Sequence, residues 1–333
     1  MADKDFVLEV KDLHVIYDTE AGIVEAVNGI SFSLEAKHTL GLVGETGAGK
    51  TTTALALLRL VPDPPGVIAG GEVLVRGENI LNKSIKEMEA IRGDQIAMVF
   101  QDPMTALDPV FNVGEQIEES LLQHQDLTKT QASEKVGKLL EMVGIPASRA
   151  KDYPHQFSGG MKQRVVIAMA LACSPKILIA DEPTTALDVT IQAQVLSLMK
   201  SLRESNDTST IMITHDLGIV AETCDEVAVM YAGRIIEYGT LREVFKHTKH
   251  PYTEGLFNSL PTIQGKGHKL RPIPGLMPDP TDLPKGCSFS PRCPYATDRC
   301  REEKPQPRVV DGTHIVECLR YDEPAFHIER RNN

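Results

Sequence analysis

Apolar and polar residues alternate between residues 7 and 17 and again between 24 and 34, the two-residue period of strands with one face buried. The pattern then changes: Leu40-Gly41-Leu42-Val43 is a short, nearly unbroken apolar run, the pattern of a strand covered on both faces. Residues 51–60 continue as a helix, which the cluster of Pro62, Pro64 and Pro65 must stop. Further strands are predicted at 72–75, 96–100, 177–180, 209–214 and 226–231, while between 111 and 142 the period turns helical and strands disappear. The outcome is an α/β core with an inserted helical lobe. Past Tyr252 the prolines 261, 272, 274, 278, 280 and 284 punctuate a stretch with little period of either kind. Such a segment is hard to fold on apolar burial alone, so something other than a hydrophobic core is expected to hold it.

With 333 residues the chain exceeds the usual size of one core, which predicts a main domain plus an appendage. Its longest apolar stretch, 165–173, is far short of the roughly 20 residues that cross a bilayer. The start, Met1-Ala2-Asp3-Lys4-Asp5, is acidic and has no apolar signal core. A cytosolic location is therefore expected, with membrane attachment only through partners. A net charge of −11 argues against general affinity for nucleic acid or anionic lipid. Of six cysteines, Cys173 and Cys224 sit singly in apolar segments, whereas Cys287, Cys293, Cys300 and Cys318 crowd the C-terminal end. In a cytosolic chain that clustering suggests metal binding more than disulfides.

The chemistry begins after the apolar run. Gly44-Glu45-Thr46-Gly47-Ala48-Gly49-Lys50-Thr51 matches the phosphate-loop pattern G-x-x-x-x-G-K-[ST] at every fixed position, with Thr52 following. Glycines let successive N–H groups turn toward phosphates, Lys50 reaches the β and γ oxygens, and the Thr51 hydroxyl can ligate Mg²⁺. Later, Ile177-Leu178-Ile179-Ala180-Asp181-Glu182 is an apolar strand ending in two acids. Asp181 can hold Mg²⁺ through water, and Glu182 can polarise an attacking water. Phe157-Ser158-Gly159-Gly160-Met161-Lys162-Gln163-Arg164 precedes an apolar helix. There Ser158 can cap, and the glycines admit an anion at the positive helix end.

Taken with Gln101 after a strand, Ala186-Leu187-Asp188, and His215 after another strand, these motifs stand in the order of an ABC transporter's ATP-binding subunit, which the chain resembles. The resemblance implies a P-loop, RecA-like ABC ATPase core with an antiparallel β subdomain and an inserted α-helical subdomain. It also implies that Gln101 senses the γ-phosphate and Mg²⁺, His215 contacts the γ-phosphate, and Asp188 communicates between subunits. Each ATP would be sandwiched between one subunit's phosphate loop and another's Ser158-Gly159-Gly160, so a lone chain should hydrolyse poorly. The signature departs from the family's Leu-Ser-Gly-Gly-Gln at Phe157 and Met161. Tyr17, 33 residues before Lys50, resembles the aromatic that stacks on adenine, although it shares a strand face with Leu13 and Val15 and fits a core role as well.

The C-terminal end narrows the resemblance to ATP-binding subunits of dipeptide and oligopeptide permeases, through His250-Pro251-Tyr252-Thr253, Gly286-Cys287 and Pro291-Arg292-Cys293-Pro294-Tyr295-Ala296 with Cys300 and Cys318. Nickel importers share the architecture and stay open as an alternative. The expected division is a nucleotide-binding domain over 1–255, with its helical part near 102–165, and a Pro-rich extension over 256–333. Gaps of five, six and 17 residues between the four cysteines are wider than structural zinc usually draws and favour a cluster. The resemblance implies [4Fe–4S], with Zn²⁺ or free or oxidised thiols as the alternatives. Implied partners are a second ATPase subunit, commonly a paralogue, two membrane permease subunits and an extracytoplasmic binding protein, with no nucleic acid. The implied location is the cytoplasmic face of the membrane. A soluble ABC ATPase of DNA repair would insert a long coiled coil, and ribosomal members usually carry two cassettes; neither is found. A GTPase would need Asn-Lys-x-Asp, and Asn82-Lys83-Ser84-Ile85 lacks the acid.

Overall fold

A computed structural model describes residues 5–184, 187–259, 272–323 and 326–328. Ala186 and Pro261 lie outside them. The order begins β1 (Phe6–Thr19), β2 (Gly22–Glu35), β3 (Thr39–Val43), α1 (Lys50–Leu57), β4 (Gly66–Val75), β5 (Glu78–Asn79), α2 (Ile85–Ile91) and β6 (Ile96–Val99). Helices α3 (Pro103–Ala106), α4 (Val113–His124), α5 (Lys129–Met142) and α6 (Gly159–Ala170) follow, then β7 (Ile177–Asp181), α7 (Val189–Asn206), β8 (Ser209–Ile213) and α8 (Leu217–Thr223). The remainder is β9 (Glu226–Tyr231), β10 (Arg234–Thr240), α9 (Leu241–Lys246), α10 (Pro251–Asn258), α11 (Asp298–Glu302), β11 (Arg308–Asp311) and β12 (His314–Val316). Two compact units divide the chain: Met1–Glu9, Ser33–Leu40 and Val73–Ile219 form the first, and Val10–Phe32, Gly41–Glu72 and Val220–Asn333 the second.

In the first unit β6, β7 and β8 run parallel, in register from Ile96 opposite Ile177 to Val99 opposite Ala180, and from Ile177 opposite Ser209 to Asp181 opposite Ile213. Every residue of these three strands is buried, as a parallel sheet covered on both faces requires. Pro103 starts α3, where its fixed φ suits a helix and its missing N–H could not extend β6. Beyond it, α4 buries Val113, Ile117 and Leu121, and α5 buries Ala132, Val136, Leu139 and Leu140, the spacing of one apolar helix face. Both helices open on capping boxes, Asn112 with Glu115 and Thr128 with Gln131.

In the second unit β9, β10, β12 and β11 lie side by side in that order, each pair antiparallel. The β9–β10 turn uses Ala232 and Gly233 at φ 45 and 76, the two left-handed residues of a tight hairpin. The C-terminal segment does have an apolar anchor. Phe289 is 2% exposed, and its ring lies 5.3 Å from Tyr231, 5.5 Å from Tyr252 and 5.8 Å from His250. The sequence pattern does not reveal this anchor, because one aromatic inserted into an existing core leaves no period in its own segment. Two polar contacts add to it, the Arg234–Glu317 ion pair at 2.7 and 3.0 Å and the His314 Nε2–Glu237 Oε1 hydrogen bond at 2.7 Å, both tying β12 and its flank to β10.

Candidate functional site

The phosphate loop belongs to the second unit, between β3 and α1. Gly44, Gly47 and Gly49 take φ 157, 84 and 101. A Cβ on Gly44 would stand 2.3 Å from the Met230 carbonyl oxygen, and one on Gly49 2.4 Å from that of Ala26. Backbone atoms cannot yield, so both positions require glycine. Ala48 is fully buried, and its carbonyl accepts from Gly233 N at 3.0 Å, which braces the loop on the β9–β10 turn. Lys50, 7% exposed, donates from Nζ to the carbonyls of Gly44 at 2.8 Å and Glu45 at 3.0 Å. Helix α1 starts there with Gly49 as its N-cap and no side-chain cap, so its positive end is left to an anion. Thr46 and Thr51 are exposed and Thr52 is half-buried.

In the first unit the parallel register gathers three predicted residues. Val99 lies opposite Ala180 and Asp181 opposite Ile213, so Gln101, Glu182 and His215 all fall just past the carboxyl ends of their strands, where α/β sheets carry their sites. Gln101 Nε2 donates to Glu182 Oε2 at 3.4 Å, and His215 Nδ1 meets Glu182 Oε1 at 3.1 Å. Glu182 has φ 47, a left-handed conformation uncommon for a non-glycine residue. Its N–H is held by the Ile213 carbonyl at 2.8 Å. The Glu182 side chain is 15% exposed and that of His215 66%. Asp181, 2% exposed, ends β7.

Ser158 and Asp188 do not join this cluster: they cap α6 and α7, accepting from Met161 N at 3.4 Å and Ile191 N at 3.0 Å. A Cβ on Gly159 would meet nothing within 4 Å, whereas one on Gly160 would lie 2.9 Å from Ile191 Cγ2. Gly159 thus leaves open space at the helix end. Phe157 is buried, with the Arg149 guanidinium 4.2 Å above its ring, so the atypical first signature residue is a packing anchor. Tyr17 is half-buried beside Gly66, unlike Leu13 and Val15, which are fully buried on the same strand face.

Sequence reasoning missed Arg292 as a neighbour of the phosphate loop. Its guanidinium forks onto Glu45 at 3.0 and 3.2 Å; the pair is 247 residues apart in sequence, and no local pattern announces it. The four C-terminal cysteines lie in the second unit and form no disulfide. Among the described residues no group of three or more His, Cys, Asp or Glu is arranged to hold a metal ion. Burial instead pushes the Cys293 and Cys318 thiols up to about 12 and raises Cys287, and neighbouring thiols add to each shift. Backbone N–H groups of Phe289 and Ser290 at Cys287, Tyr295 at Cys293 and Arg320 at Cys318 oppose it.

Family models match two parts of the chain: that for ABC transporters residues 27–185, and that for the oligopeptide/dipeptide transporter C-terminal region residues 236–300. The oligopeptide transport ATP-binding protein OppD of Bacillus subtilis is 52% identical over 325 residues, covering 97% of this chain and 91% of its own length. The dipeptide transport ATP-binding protein DppD of the same organism is 48% identical, covering 96% of each. The OppD protein of Escherichia coli is 49% identical, covering 92% and 91%. A solved post-hydrolysis dimer of an ATP-binding cassette with ADP and Pi superposes with a TM-score of 0.64 at 26% identity, covering 71% of this chain and 99% of that one. Among the described residues no helix is long and apolar enough to cross a membrane. A phosphate loop, a glutamate held between glutamine and histidine at the ends of parallel strands, and these matches have one conclusion: the chain is an ABC-type ATPase and belongs to the ATP-binding family that carries the oligopeptide/dipeptide transporter C-terminal region.

Proposed function

We propose that the chain is the ATP-binding and hydrolysing subunit that energises an ABC importer of oligopeptides or dipeptides. The observation that carries the proposal is the convergence of Gln101 and His215 on the Glu182 carboxylate. In this reading the N–H groups and Lys50 of the phosphate loop bind the triphosphate, and Glu182 takes a proton from the attacking water. Gln101 and His215 orient that carboxylate and meet the γ-phosphate. Thr51, Gln101 and Asp181 would hold Mg²⁺, which neutralises phosphate charge when bound. Ser158, Gly159 and Asp188 act toward a second ATPase subunit, and Tyr17 toward adenine. The names of the relatives favour peptides over nickel as the cargo.

Membrane permease subunits follow from the family, with this chain on the cytoplasmic face. Phe100, Val110 and Phe111, 40%, 70% and 51% exposed around α3, give them an apolar surface to meet, and an extracytoplasmic binding protein completes the importer. Glu182→Gln is expected to keep ATP affinity and lose turnover by about 10²-fold or more, read by nucleotide titration and phosphate release. Undiminished release would remove Glu182 from the base role.

The proposal extends to a [4Fe–4S] centre on Cys287, Cys293, Cys300 and Cys318. It is supported by the mutual influence of these thiols and by the backbone N–H groups directed at three of the sulfurs. A cluster spaces its ligating sulfurs more widely than a single ion does and would cross-link the proline-rich segment. Anaerobically purified protein should contain iron and acid-labile sulfide. Colourless protein with neither, or with one equivalent of zinc, contradicts it.

A further inference from the structure

We propose that Arg292 is a positioning residue of the nucleotide site, one that neutralises Glu45 and so holds the phosphate loop in its binding shape from the C-terminal region. The inference rests on the reading of that loop as the ATP site. Glu45 places a carboxylate inside a loop whose task is to bind a polyanion. Left unpaired, it would repel the phosphates and pull on Lys50. Arg292 occupies both carboxylate oxygens, from NH1 at 3.0 Å and NH2 at 3.2 Å, the two-pronged geometry that only arginine supplies.

The arginine is itself fixed. Its side chain is 6% exposed, Nε donates to the Pro274 carbonyl at 2.9 Å, and NH1 reaches Tyr231 Oη at 3.4 Å. From the loop side, Glu45 N donates to Tyr252 Oη at 2.9 Å, and the Glu45 carbonyl accepts from Lys50 Nζ at 3.0 Å. One residue therefore connects the C-terminal arginine to the phosphate-binding lysine. A second touch comes from the same region: a Cβ on Gly47 would stand 3.0 Å from Met277 Cε.

A clamp that merely fastens the C-terminal region predicts different behaviour from a group that cancels a charge, and Mg-ATP titration of the full chain separates them. Arg292→Gln is expected to weaken ATP about 10-fold, and Glu45→Gln to bind at least as well as the natural chain. The double substitution should return to within about 2-fold of Glu45→Gln alone, because no carboxylate is left to neutralise. Natural affinity in Arg292→Gln, or a double variant as weak as Arg292→Gln, overturns the proposal. If Arg292→Gln does not fold, Arg292→Lys carries the test. It keeps the charge without the fork, so binding within about 3-fold of the natural chain at unchanged melting temperature supports the proposal, and a larger loss overturns it. Lys50→Ala is the blank, and a natural chain that binds no better than Lys50→Ala defeats the underlying nucleotide reading instead.

Discussion

His250 is 1% exposed. Its N–H donates to Glu237 at 3.0 Å, and its Nδ1 accepts from Tyr252 N at 3.1 Å as the N-cap of α10. A nitrogen that accepts carries no proton. Burial drives the imidazole down to about 3 from its ordinary 6.5, a hydrogen bond to the Glu317 backbone opposing only in part. Between those values the unfolded chain binds a proton that the native chain does not. Stability from this group is thus complete above about pH 6.5 and is lost on acidification toward pH 3, by at most about 1.4 kcal/mol per pH unit. His250→Asn keeps an acceptor for the cap and removes the titration. Its melting temperature should fall less steeply than the natural chain's over that range; parallel profiles would contradict the assignment. At this scale the sequence disclosed residues whose work is local, such as Gly44, Gly49 and Lys50. It concealed Arg292 and Phe289, whose partners are distant in the chain.

Among the elements, strands with a clean period were legible, and β3, β6, β7, β8 and β9 fall within a residue or so of where the pattern puts them. Strand β10 was not. Glu237 sits fully buried in its middle, a charge that reads as exposed until His314 and the N–H groups of Lys249 and His250 are seen to satisfy it. Strands β11 and β12 have four and three residues, too few to establish a period, and depend on β10 for an edge. Helix α6 begins at Gly159, ahead of its apolar stretch, because Ser158 supplies the cap that starts it. The meeting of Gln101, Glu182 and His215 is a property of strand register. The motifs named them, and only the pairing of β6, β7 and β8 explains why the Glu182 carboxylate meets both of the others.

For the whole molecule, the order of the motifs carried the family before any element was placed, since each is a short local solution to binding phosphate or metal. Cargo and partners are not written that way, for they are chosen by other chains. The central claim is that ATP consumed by this subunit moves peptide across a membrane. The most direct measurement follows phosphate release and peptide movement together, in vesicles reconstituted with the chain, its membrane subunits and a peptide-loaded binding protein. The account predicts that peptide moves only with ATP, that release rises with loaded binding protein, and that Lys50→Ala abolishes both. Peptide movement that persists with Lys50→Ala, or brisk hydrolysis with no peptide moved, would contradict it.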